Sequence, residues 1–435
     1  MVELPEKYKQ EMKELLKDEY DDYIHSFNSK SIHSLRVNEN KISVEEFLKI
    51  FPYHLEPIAW SHNGFYYDEN DSVTKHPYYY AGLYYIQEAS AMLPAESLPI
   101  STNDRVLDIC AAPGGKSTEL GVKLQDTGVL FSNDISYSRC QALLRNLQKF
   151  GIRNSFVLSE TPEKLSQYFE GYFDKILIDA PCSGEGMFRK DASLISSWLE
   201  RDSSYYVPIQ KSIVENAIKM LKPNGMIVYS TCTFSRSEDE EIIEYALSLD
   251  PSLKVKQLPT CDGFVQNEYG TRLFPHKVKG EGHFVSLLVR GEVENNIPSK
   301  ESFTFKEDCI NATFTSSKKE IMKDRIYSVP ETDLDLKGLR IMRSGILIGE
   351  NKKNRFELDE ALPMYLKKNE YKNVIDLEDS DIRVTKYLKG ETIDVKDFDL
   401  CDGYAVVCVG GFPLGFAKIS KGIFKNKYPK SWMMK

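Results

Sequence analysis

The sequence predicts an α/β fold in which a parallel sheet is covered by helices on both faces. From about Asn103, short apolar runs typical of strands alternate with helical patterns, and this alternation favours a parallel sheet. The strand-like runs are RVLDIC, GVLFSND, SFVLS, KILIDA and MIVYST, and the helical patterns are KSTELGVKLQ, YSRCQALLRNLQKFG, VPIQKSIVENAIKMLKPNG and SEDEEIIEYALSL. A late run, GHFVSLLVR, predicts a further strand towards the edge of the sheet, either parallel or antiparallel.

The length of 435 residues, with 41% hydrophobic content, predicts a globular chain of two or three domains. Residues 1–98 mix short helical patterns with aromatic-rich loops and form a first module. The central α/β domain spans 99–290, and 291–315 lacks periodicity and is interpreted as a linker. Residues 316–435 form a C-terminal region that ends in short strand-like pieces separated by glycine turns.

Charge and cysteine usage narrow the class of protein. A net charge of −9 argues against nonspecific coating of nucleic acid. The stretch 401–435 is nevertheless basic, which indicates either a local anionic contact or a solvated lysine face. The eight cysteines include no CxxC pair, so we expect neither a disulfide scaffold nor a structural metal site. No run approaches the ~18 apolar residues of a membrane span, and the expected compartment is the cytoplasm.

The loop CAAPGGKST follows the first strand of the central domain. It resembles the end of a phosphate-binding P-loop, but the required first glycine falls at Cys110. The dinucleotide fingerprint GxGxxG is also absent, because Gly114 and Gly115 are adjacent and follow Pro113. The loop is therefore predicted to be a tight turn at the carboxyl end of a strand, where open α/β sheets bind ligands and glycine lets the backbone approach them closely.

Two aspartates accompany this loop. Asp134 ends the second strand about twenty residues further on, the spacing at which an acid binds ribose hydroxyls in doubly wound folds. The alternative is that Asp134 caps the next helix, a role that Ser136 would also fill. Asp108, inside the first strand, either orients the loop or a ligand's amino group, or is purely structural. A nucleoside-containing ligand is the favoured interpretation.

Two cysteines follow later strands at the same predicted edge, Cys182 in DAPCSGEG and Cys232 in YSTCTFS. Free cysteine is usually buried as a small hydrophobic residue. Both of these cysteines, however, lie among Ser, Thr, Gly and Asp residues at the ligand edge of the sheet. The sequence therefore predicts two thiols that face one pocket, with Asp179 beside them.

Three motifs, AAPGGK, DAPCSGEGMFRKD and STCTFSRSEDE, resemble the Nop/Sun family of RNA 5-methylcytosine methyltransferases. The flanking segments LRVN, HPYYYAGLYYIQEASAM, RLFPHKVKGEGHF and KNKYPK are more narrowly similar to its bacterial RsmF (YebU) type. The resemblance covers nearly the whole chain. It implies a class I (Rossmann-like) S-adenosylmethionine-dependent methyltransferase domain at 99–290, an N-terminal α/β RNA-binding module at 1–98, and a C-terminal PUA-like, β-rich RNA-binding module.

The implied reaction explains the two thiols. C5 of cytosine is a poor nucleophile, so a thiolate must first add at C6 to give C5 enamine character. The resemblance implies that Cys232 attacks C6, that Cys182 assists product release, and that Asp179 contacts N3 and the exocyclic amine of the base. Spacing alone does not assign these roles, because DNA cytosine methyltransferases use the cysteine of a PC motif like Pro181–Cys182 as nucleophile.

The resemblance also implies binding residues. Arg36 with Asn38 matches the N-terminal module, Arg189 and Lys190 are candidates for RNA phosphates, and Phe188 either stacks on a base or packs. The lone His276 and His283 are expected to be structural. The S-adenosylmethionine site is expected to comprise Cys110, Ala111, Ala112, Pro113, Gly114, Gly115, Lys116, Asp134, Thr161 and Asp179, and the RNA contacts to comprise Arg36, Arg189, Lys190, Lys425 and Lys430.

The expected activity is therefore methylation of cytidine C5 in RNA, with 16S (small-subunit) ribosomal RNA or the 30S subunit as the partner. One alternative is a transfer-RNA substrate, since the active site of the family does not encode the RNA. Another is a noncatalytic RNA-binding factor in ribosome assembly, against which the two cysteines and Asp179 argue. We expect a monomer without a metal ion or a membrane partner.

Overall fold

The computed structural model describes residues 4–291, 301–353 and 355–435. The N-terminal module is a four-stranded antiparallel sheet, in the order β2-β3-β1-β4, with short helices around it. Its elements are α1 (Glu6–Leu16), α2 (Tyr20–Ser26), β1 (Ser34–Val37), α3 (Val44–Ile50), β2 (Glu56–Pro57), β3 (Gly64–Tyr66), α4 (Pro77–Tyr80), β4 (Tyr84–Ile86) and α5 (Leu93–Ser97).

Local sequence explains how these helices form and where they pack. Ser43 and Glu46 form a capping box that begins α3. Helix α1 buries Tyr8 and Met12, which are four residues apart and therefore share one face. That face packs against the central domain, where the ring of Phe188 lies 5.1 Å from the ring of Tyr8. The first helix thus ties the N-terminal module to the segment that follows Cys182.

The central domain has the predicted alternation of strands and helices. Strands β7-β6-β5-β8-β9 are parallel neighbours, and the fold prediction is confirmed. The elements are β5 (Arg105–Asp108), α6 (Gly115–Lys123), β6 (Val129–Asn133), α7 (Tyr137–Phe150), β7 (Ser155–Leu158), α8 (Pro162–Ser166), β8 (Phe173–Asp179), α9 (Ser193–Glu200), α10 (Ser203–Met220), β9 (Leu221–Thr231), α11 (Glu240–Leu249), β10 (Leu253–Lys256), β11 (Phe264–Gln266), β12 (Thr271–Leu273) and β13 (His283–Arg290).

The strand order sets the place of a ligand site. The chain builds β5, β6 and β7 outward in one direction and then returns to place β8 on the other side of β5. Ligands of open α/β sheets bind at such a reversal, beyond the carboxyl ends of the strands. The run GHFVSLLVR forms β13, antiparallel to β9, but both β10 and β12 pair with its other side. It is therefore an inner strand of the sheet.

The C-terminal region is rich in β-structure. Sheets form from β14-β15, from β16-β17-β19-β20 and from β21-β22-β23-β24, the last accompanied by α12. The elements are β14 (Ser302–Glu307), β15 (Ile310–Thr315), β16 (Ser317–Met322), β17 (Arg325–Pro330), β18 (Ile341–Ser344), β19 (Ile346–Lys352), β20 (Arg355–Leu358), β21 (Val374–Leu377), α12 (Ile382–Leu388), β22 (Gly403–Val409), β23 (Phe412–Ser420) and β24 (Ile423–Asn426).

The segment interpreted as a linker, 291–315, contains a β-hairpin. Strands β14 and β15 pair from Ser302 to Thr315, while residues 292–300 lie outside the described residues. In β15 the side chains of Ile310, Ala312 and Phe314 are buried and alternate with exposed ones, the period of two typical of a half-buried strand. The ordered C-terminal region therefore begins before residue 316.

One C-terminal strand extends the central sheet. Strand β18 pairs antiparallel with β7, with Ser344 opposite Phe156 and Ile341 opposite Leu158. This covers an edge that would otherwise present unpaired backbone groups. Among the described helices, none has the length and apolar character needed to cross a bilayer.

Candidate active site

A cavity of about 570 Å³ lies beyond the carboxyl ends of the parallel strands. Its walls come from the loops after β5, β6, β7, β8 and β9 and from one face of α10. Both predicted thiols line it, together with five of the ten predicted donor-site residues: Cys110, Ala112, Asp134, Thr161 and Asp179. The other five do not line it: Ala111, Pro113, Gly114, Gly115 and Lys116. The lining residues are Ile109, Cys110, Ala112, Asn133, Asp134, Ile135, Arg139, Glu160, Thr161, Pro162, Glu163, Asp179, Ala180, Pro181, Cys182, Pro208, Ile209, Ser212, Ile213 and Cys232.

The glycine-rich loop contributes Cys110 and Ala112 to the cavity wall, and its glycines begin α6. Gly114 is the N-cap of α6 with a φ of 112°, a left-handed conformation that favours glycine. A Cβ there would also lie 3.1 Å from Leu143 Cδ1. The flanking loop is fixed because Ala111 N donates to Asn133 O at 2.7 Å and Asn146 Nδ2 donates to Pro113 O at 2.8 Å.

Asp108 lies beneath this loop and is fully buried. Its Oδ2 accepts a hydrogen bond from Ser117 Oγ at 2.6 Å, whereas its Oδ1 has no hydrogen-bond partner. Burial raises the pKa of Asp108 to about 7. The contact with Ser117 orients the first turn of α6, which favours the loop-orienting alternative.

Asp134 is buried at the cavity wall, 3% exposed. Its Oδ1 accepts from Ser136 N at 2.9 Å, and Arg139 Nη1 lies 3.2 Å from its Oδ2. The cap of α7 is Ser136, whose side chain accepts from Arg139 N. The capping alternative thus belongs to Ser136. Thr161 also lines the cavity, and its hydroxyl caps α8.

Asp179 contacts the first turn of α6 through Lys116 and lines the same cavity as the two thiols. Its Oδ2 lies 2.8 Å from Lys116 Nζ, and its Oδ1 accepts from Ser230 Oγ at 3.1 Å and lies 3.8 Å from His283 Nε2. Burial acts to raise the pKa of Asp179, but the charge of Lys116 and the neighbouring donors outweigh it and lower the pKa. Asp179 is therefore a carboxylate, and buried His283, whose pKa burial lowers to about 4, is neutral at pH 7.

The two thiols are in contact, with Cys182 Sγ 3.3 Å from Cys232 Sγ. Each side chain is only partly buried, at the cavity wall. The hydrogen bond with Cys232 and burial raise the pKa of Cys182 well above its usual range. Cys182 therefore keeps its proton at neutral pH.

Backbone and side-chain hydrogen bonds fix the spacing of the two thiol loops. Gly186 N donates to Cys232 O at 2.9 Å, and the hydroxyls of Ser183 and Thr233 are 2.8 Å apart. Glu238, which is fully buried, accepts from Ser183 N at 3.0 Å.

Two buried carboxylates in these loops were missed by sequence reasoning. Glu238 also accepts from Gln210 Nε2 at 2.9 Å, and Glu185 accepts from Phe234 N at 3.1 Å and from Trp198 Nε1 at 3.0 Å. Burial and the charge of Glu238 raise the pKa of Glu185 to about 7. The available signal was their position shortly after each thiol, Glu185 in PCSGEG and Glu238 in SRSEDE.

The predicted RNA contacts divide into buried and exposed residues. Arg36 is 1% exposed and bonds with the central domain, so its guanidinium is not on an RNA-accessible surface. Arg189 pairs with Glu281 at 2.8 Å, and its side chain is 7% exposed. Both arginines thus hold parts of this chain together. Lys190, Lys425 and Lys430 are exposed.

Two further predictions concern side chains outside the cavity. Phe188 is fully buried against Tyr8, which is the packing alternative. His276 Nε2 lies 3.4 Å from Glu19 Oε2.

A group with the composition of a metal site lies between the N-terminal module and α6. Ligand atoms of His62, Glu96 and Glu119 lie within 4.8 Å of one another. Both ring nitrogens of His62 are already hydrogen-bonded, Nε2 to Glu39 at 2.5 Å and Nδ1 to Glu96 at 3.0 Å. These carboxylates raise the pKa of His62 to about 10, so His62 is itself the cation of the group.

Comparisons with known proteins find matches along nearly the whole chain. Models for four rRNA methyltransferase domains match along the chain: 16S rRNA methyltransferase RsmB/F at 95–289, the N-terminal domain of 16S rRNA methyltransferase RsmF at 4–89, the RsmF first C-terminal domain at 304–366 and the RsmF PUA domain at 372–434. Ribosomal RNA small subunit methyltransferase F of Shewanella oneidensis is 30% identical, over 91% of this chain and 90% of its own. The protein of that name from Shewanella sp. strain ANA-3 is also 30% identical, over 94% and 92%.

Solved structures share the fold of the catalytic part. A methyltransferase homolog protein from Pyrococcus horikoshii has a TM-score of 0.56 and 27% identity, covering 64% of this chain and 93% of its own. NSun6 from P. horikoshii with SFG has a TM-score of 0.58 over 66% of this chain and 98% of its own. Because NSun6 is only 21% identical to this chain, its similarity concerns the fold alone.

Proposed function

This chain belongs to the RsmF family of 16S ribosomal RNA methyltransferases, and we propose that it methylates C5 of a cytidine in 16S ribosomal RNA. The observation that carries this proposal is the pair of thiols 3.3 Å apart at the wall of a cavity that also contains Asp179. Methyl transfer to an oxygen or to an exocyclic nitrogen needs no sulfur nucleophile, whereas C5 of cytosine requires one.

The cavity fits S-adenosylmethionine, the methyl donor of this family. Its volume of about 570 Å³ is that of a small-molecule site. Asp134 would accept from the ribose hydroxyls, and the backbone around Cys110 and Ala112 would approach the donor closely. When bound, the donor supplies an electrophilic methyl group.

Asp179 and Lys116 prepare the target base for attack. The Asp179 carboxylate accepts hydrogen bonds, so it would hold the exocyclic amine of cytosine and, when N3 is protonated, the N3–H as well. Lys116, 2.8 Å from Asp179, keeps this carboxylate charged and directed into the cavity. The base must leave its stack to reach these groups, which costs a few kcal/mol and favours exposed nucleotides.

The two thiols have different roles in the remaining steps, one as nucleophile and one as proton acceptor. Cys232, as a thiolate, adds to C6, and C5 of the resulting enamine takes the methyl group as the bond between that group and the donor sulfur breaks. The C5–H bond then breaks, its electron pair forms the C5=C6 double bond, and Cys232 leaves as a thiolate. We assign the C5 proton to the small fraction of Cys182 that is a thiolate at neutral pH, since a thiolate of raised pKa is a strong proton acceptor.

The roles of the thiols are tested by two substitutions with in vitro transcribed 16S RNA. Cys232→Ala should abolish methylation and give no covalent complex. Cys182→Ala should attack and methylate but release slowly, so that methylated RNA stays bonded to Cys232 and migrates as a slow band on a denaturing gel. Cys401→Ser, at an exposed cysteine, is the matched control and should behave as the unmodified protein.

Each other outcome has a distinct meaning. A slow band from Cys232→Ala would exchange the two roles, and full activity of both variants would refute the mechanism. Bisulfite sequencing of the reacted 16S RNA identifies the methylated base. In a parallel reaction with transfer RNA, modification of transfer RNA and not of 16S RNA would contradict the ribosomal substrate.

A further inference from the structure

Arg36, on strand β1 of the N-terminal module, contacts the helix that carries the donor-binding loop. Its Nη2 donates to Gly115 O and to Thr118 Oγ1, each at 2.8 Å, and its Nη1 pairs with Glu119. Its Nε donates to Gln87 Oε1 at 3.0 Å. Three of these four acceptors belong to the first five residues of α6.

These contacts connect Arg36 to the reacting groups through one short path. Gly115, whose carbonyl accepts from Arg36, directly precedes Lys116, and Lys116 Nζ lies 2.8 Å from Asp179 Oδ2. Gly114, on the other side, is the left-handed turn of the donor loop. A shift of the first turn of α6 would therefore move both the loop backbone and the cation that orients Asp179.

The charges around Arg36 indicate that its role is not packing alone. The N-terminal end of a helix carries partial positive charge, so a guanidinium beside it is unfavourable. Glu119, 2% exposed, compensates this charge, but burying an ion pair is rarely more stable than apolar packing of the same volume. What the planar guanidinium provides is several hydrogen bonds in fixed directions, here to one helical turn.

We propose that Arg36 is a positioning residue for the methyl donor: it fixes the first turn of α6 so that the donor loop and Lys116 are in place before the donor binds. This inference rests on the proposed function, because it assumes that the cavity binds S-adenosylmethionine. It replaces the sequence expectation that Arg36 contacts RNA.

The test compares Arg36→Ala and Arg36→Lys with Arg153→Ala. Arg153 is a matched control, because it too is a buried arginine that joins two modules, bonding Tyr365 O and Glu370, and it does not line the cavity. Isothermal titration with S-adenosylmethionine, filter binding with 16S RNA, and steady-state rates are measured for each full-length protein, well below its unfolding temperature.

The expected result is weaker donor binding and slower turnover, with RNA binding unchanged. Arg36→Ala should weaken S-adenosylmethionine binding about tenfold and lower kcat by up to about 100-fold, as expected for a small misplacement of reacting groups. Arg36→Lys keeps the charge beside Glu119 but not the forked geometry, and should recover only part of the affinity. RNA affinity should be unchanged, and Arg153→Ala should bind the donor normally even if its melting temperature falls equally.

Two results would overturn the inference. Normal donor affinity in both Arg36 variants would reduce Arg36 to a structural contact, and weakened RNA binding with normal donor binding would restore the RNA role. If Arg36→Ala does not fold, Arg36→Lys decides between these results. Absence of donor binding in the unsubstituted protein would instead refute the proposed function.

Discussion

Cys182 gives the proposed reaction a characteristic pH dependence. The hydrogen bond with Cys232 and burial raise the pKa of this thiol, so its thiolate is scarce at neutral pH and increases about tenfold per pH unit below that pKa. If this thiolate accepts the C5 proton, elimination should accelerate as pH rises. The covalent RNA adduct should therefore accumulate at pH 6.5 and become scarce at pH 9, as quantified on denaturing gels after a fixed reaction time.

Cys182→Ala is the control for this pH effect. Without the proton acceptor, the adduct should be abundant at both pH values. An adduct in the unsubstituted protein that does not change with pH would assign the C5 proton to another acceptor. A similar pH dependence in Cys182→Ala would lead to the same conclusion, since the titrating group would lie elsewhere.

At the scale of elements, the close approach of two loops fixes the distance between the thiols. A Cβ on Gly186 would lie 2.8 Å from Gly282 Cα and 3.0 Å from Cys232 O. Gly186→Ala should therefore separate the loop of Cys182 from Cys232, lower kcat, and cost about 1–3 kcal/mol of stability from overpacking. Methylation kinetics and urea unfolding measure both effects.

Gly171→Ala is a control for backbone strain. Gly171 has a φ of 56°, and a Cβ there would meet nothing within 4 Å. This variant should lose some stability but keep its kcat. If Gly186→Ala retained full activity, the contact between the two loops would not control the thiol spacing.

The His62 cluster makes the stability of the N-terminal interface depend on pH. Glu39 and Glu96 raise the pKa of His62 from 6.5 to about 10. A raised pKa means that the stabilisation is complete below about pH 6.5 and is lost as pH rises towards 10. The melting temperature of the unsubstituted protein should exceed that of His62→Gln at pH 6, and the difference should shrink by pH 10.

The size of this effect is limited by solvent, because the His62 side chain is 47% exposed. His54→Gln, at an exposed histidine of the same module, should show no such convergence. A difference that grows from pH 6 to pH 10 would contradict the assignment of His62 as the cation.

Local pattern was sufficient for the catalytic sheet and for the residues at its edge. Strands and helices from Arg105 to Leu249 follow the predicted alternation, and the loops that end β8 and β9 bring Cys182 and Cys232 together. The hairpin at Ser302–Thr315 was missed because more than half of its strand residues face solvent, which leaves only a weak apolar pattern. The role of Arg36 was missed because its partner Glu119 is 83 residues away.

At the scale of the whole molecule, both appended modules dock beside the donor cavity. Arg36 links the N-terminal module to Gly115, and Arg340 N, next to β18, donates to Glu160 Oε1 at 2.6 Å. Glu160 is part of the cavity wall. Deleting the chain from about Ser316 would therefore remove β18 from the edge of the catalytic sheet as well as the RNA-binding module. Point substitutions are the cleaner test of RNA contacts.

The exposed lysines of the last sheet provide that test. Lys425, on β24, faces Lys418 across the strand pair, and Lys430 follows in the next turn, so that positive charge is concentrated on this part of the PUA domain. If these lysines contact phosphates, Lys425→Glu with Lys430→Glu should weaken 16S RNA binding and reduce the slope of log K against log salt by about 2. Affinity for S-adenosylmethionine should not change, because the cavity lies in another domain.

Lys396→Glu, at an exposed lysine of the same region, is the matched control and should keep the slope. An unchanged slope in the double variant would mean that this basic face is simply solvated, and that the PUA domain contacts RNA through another surface.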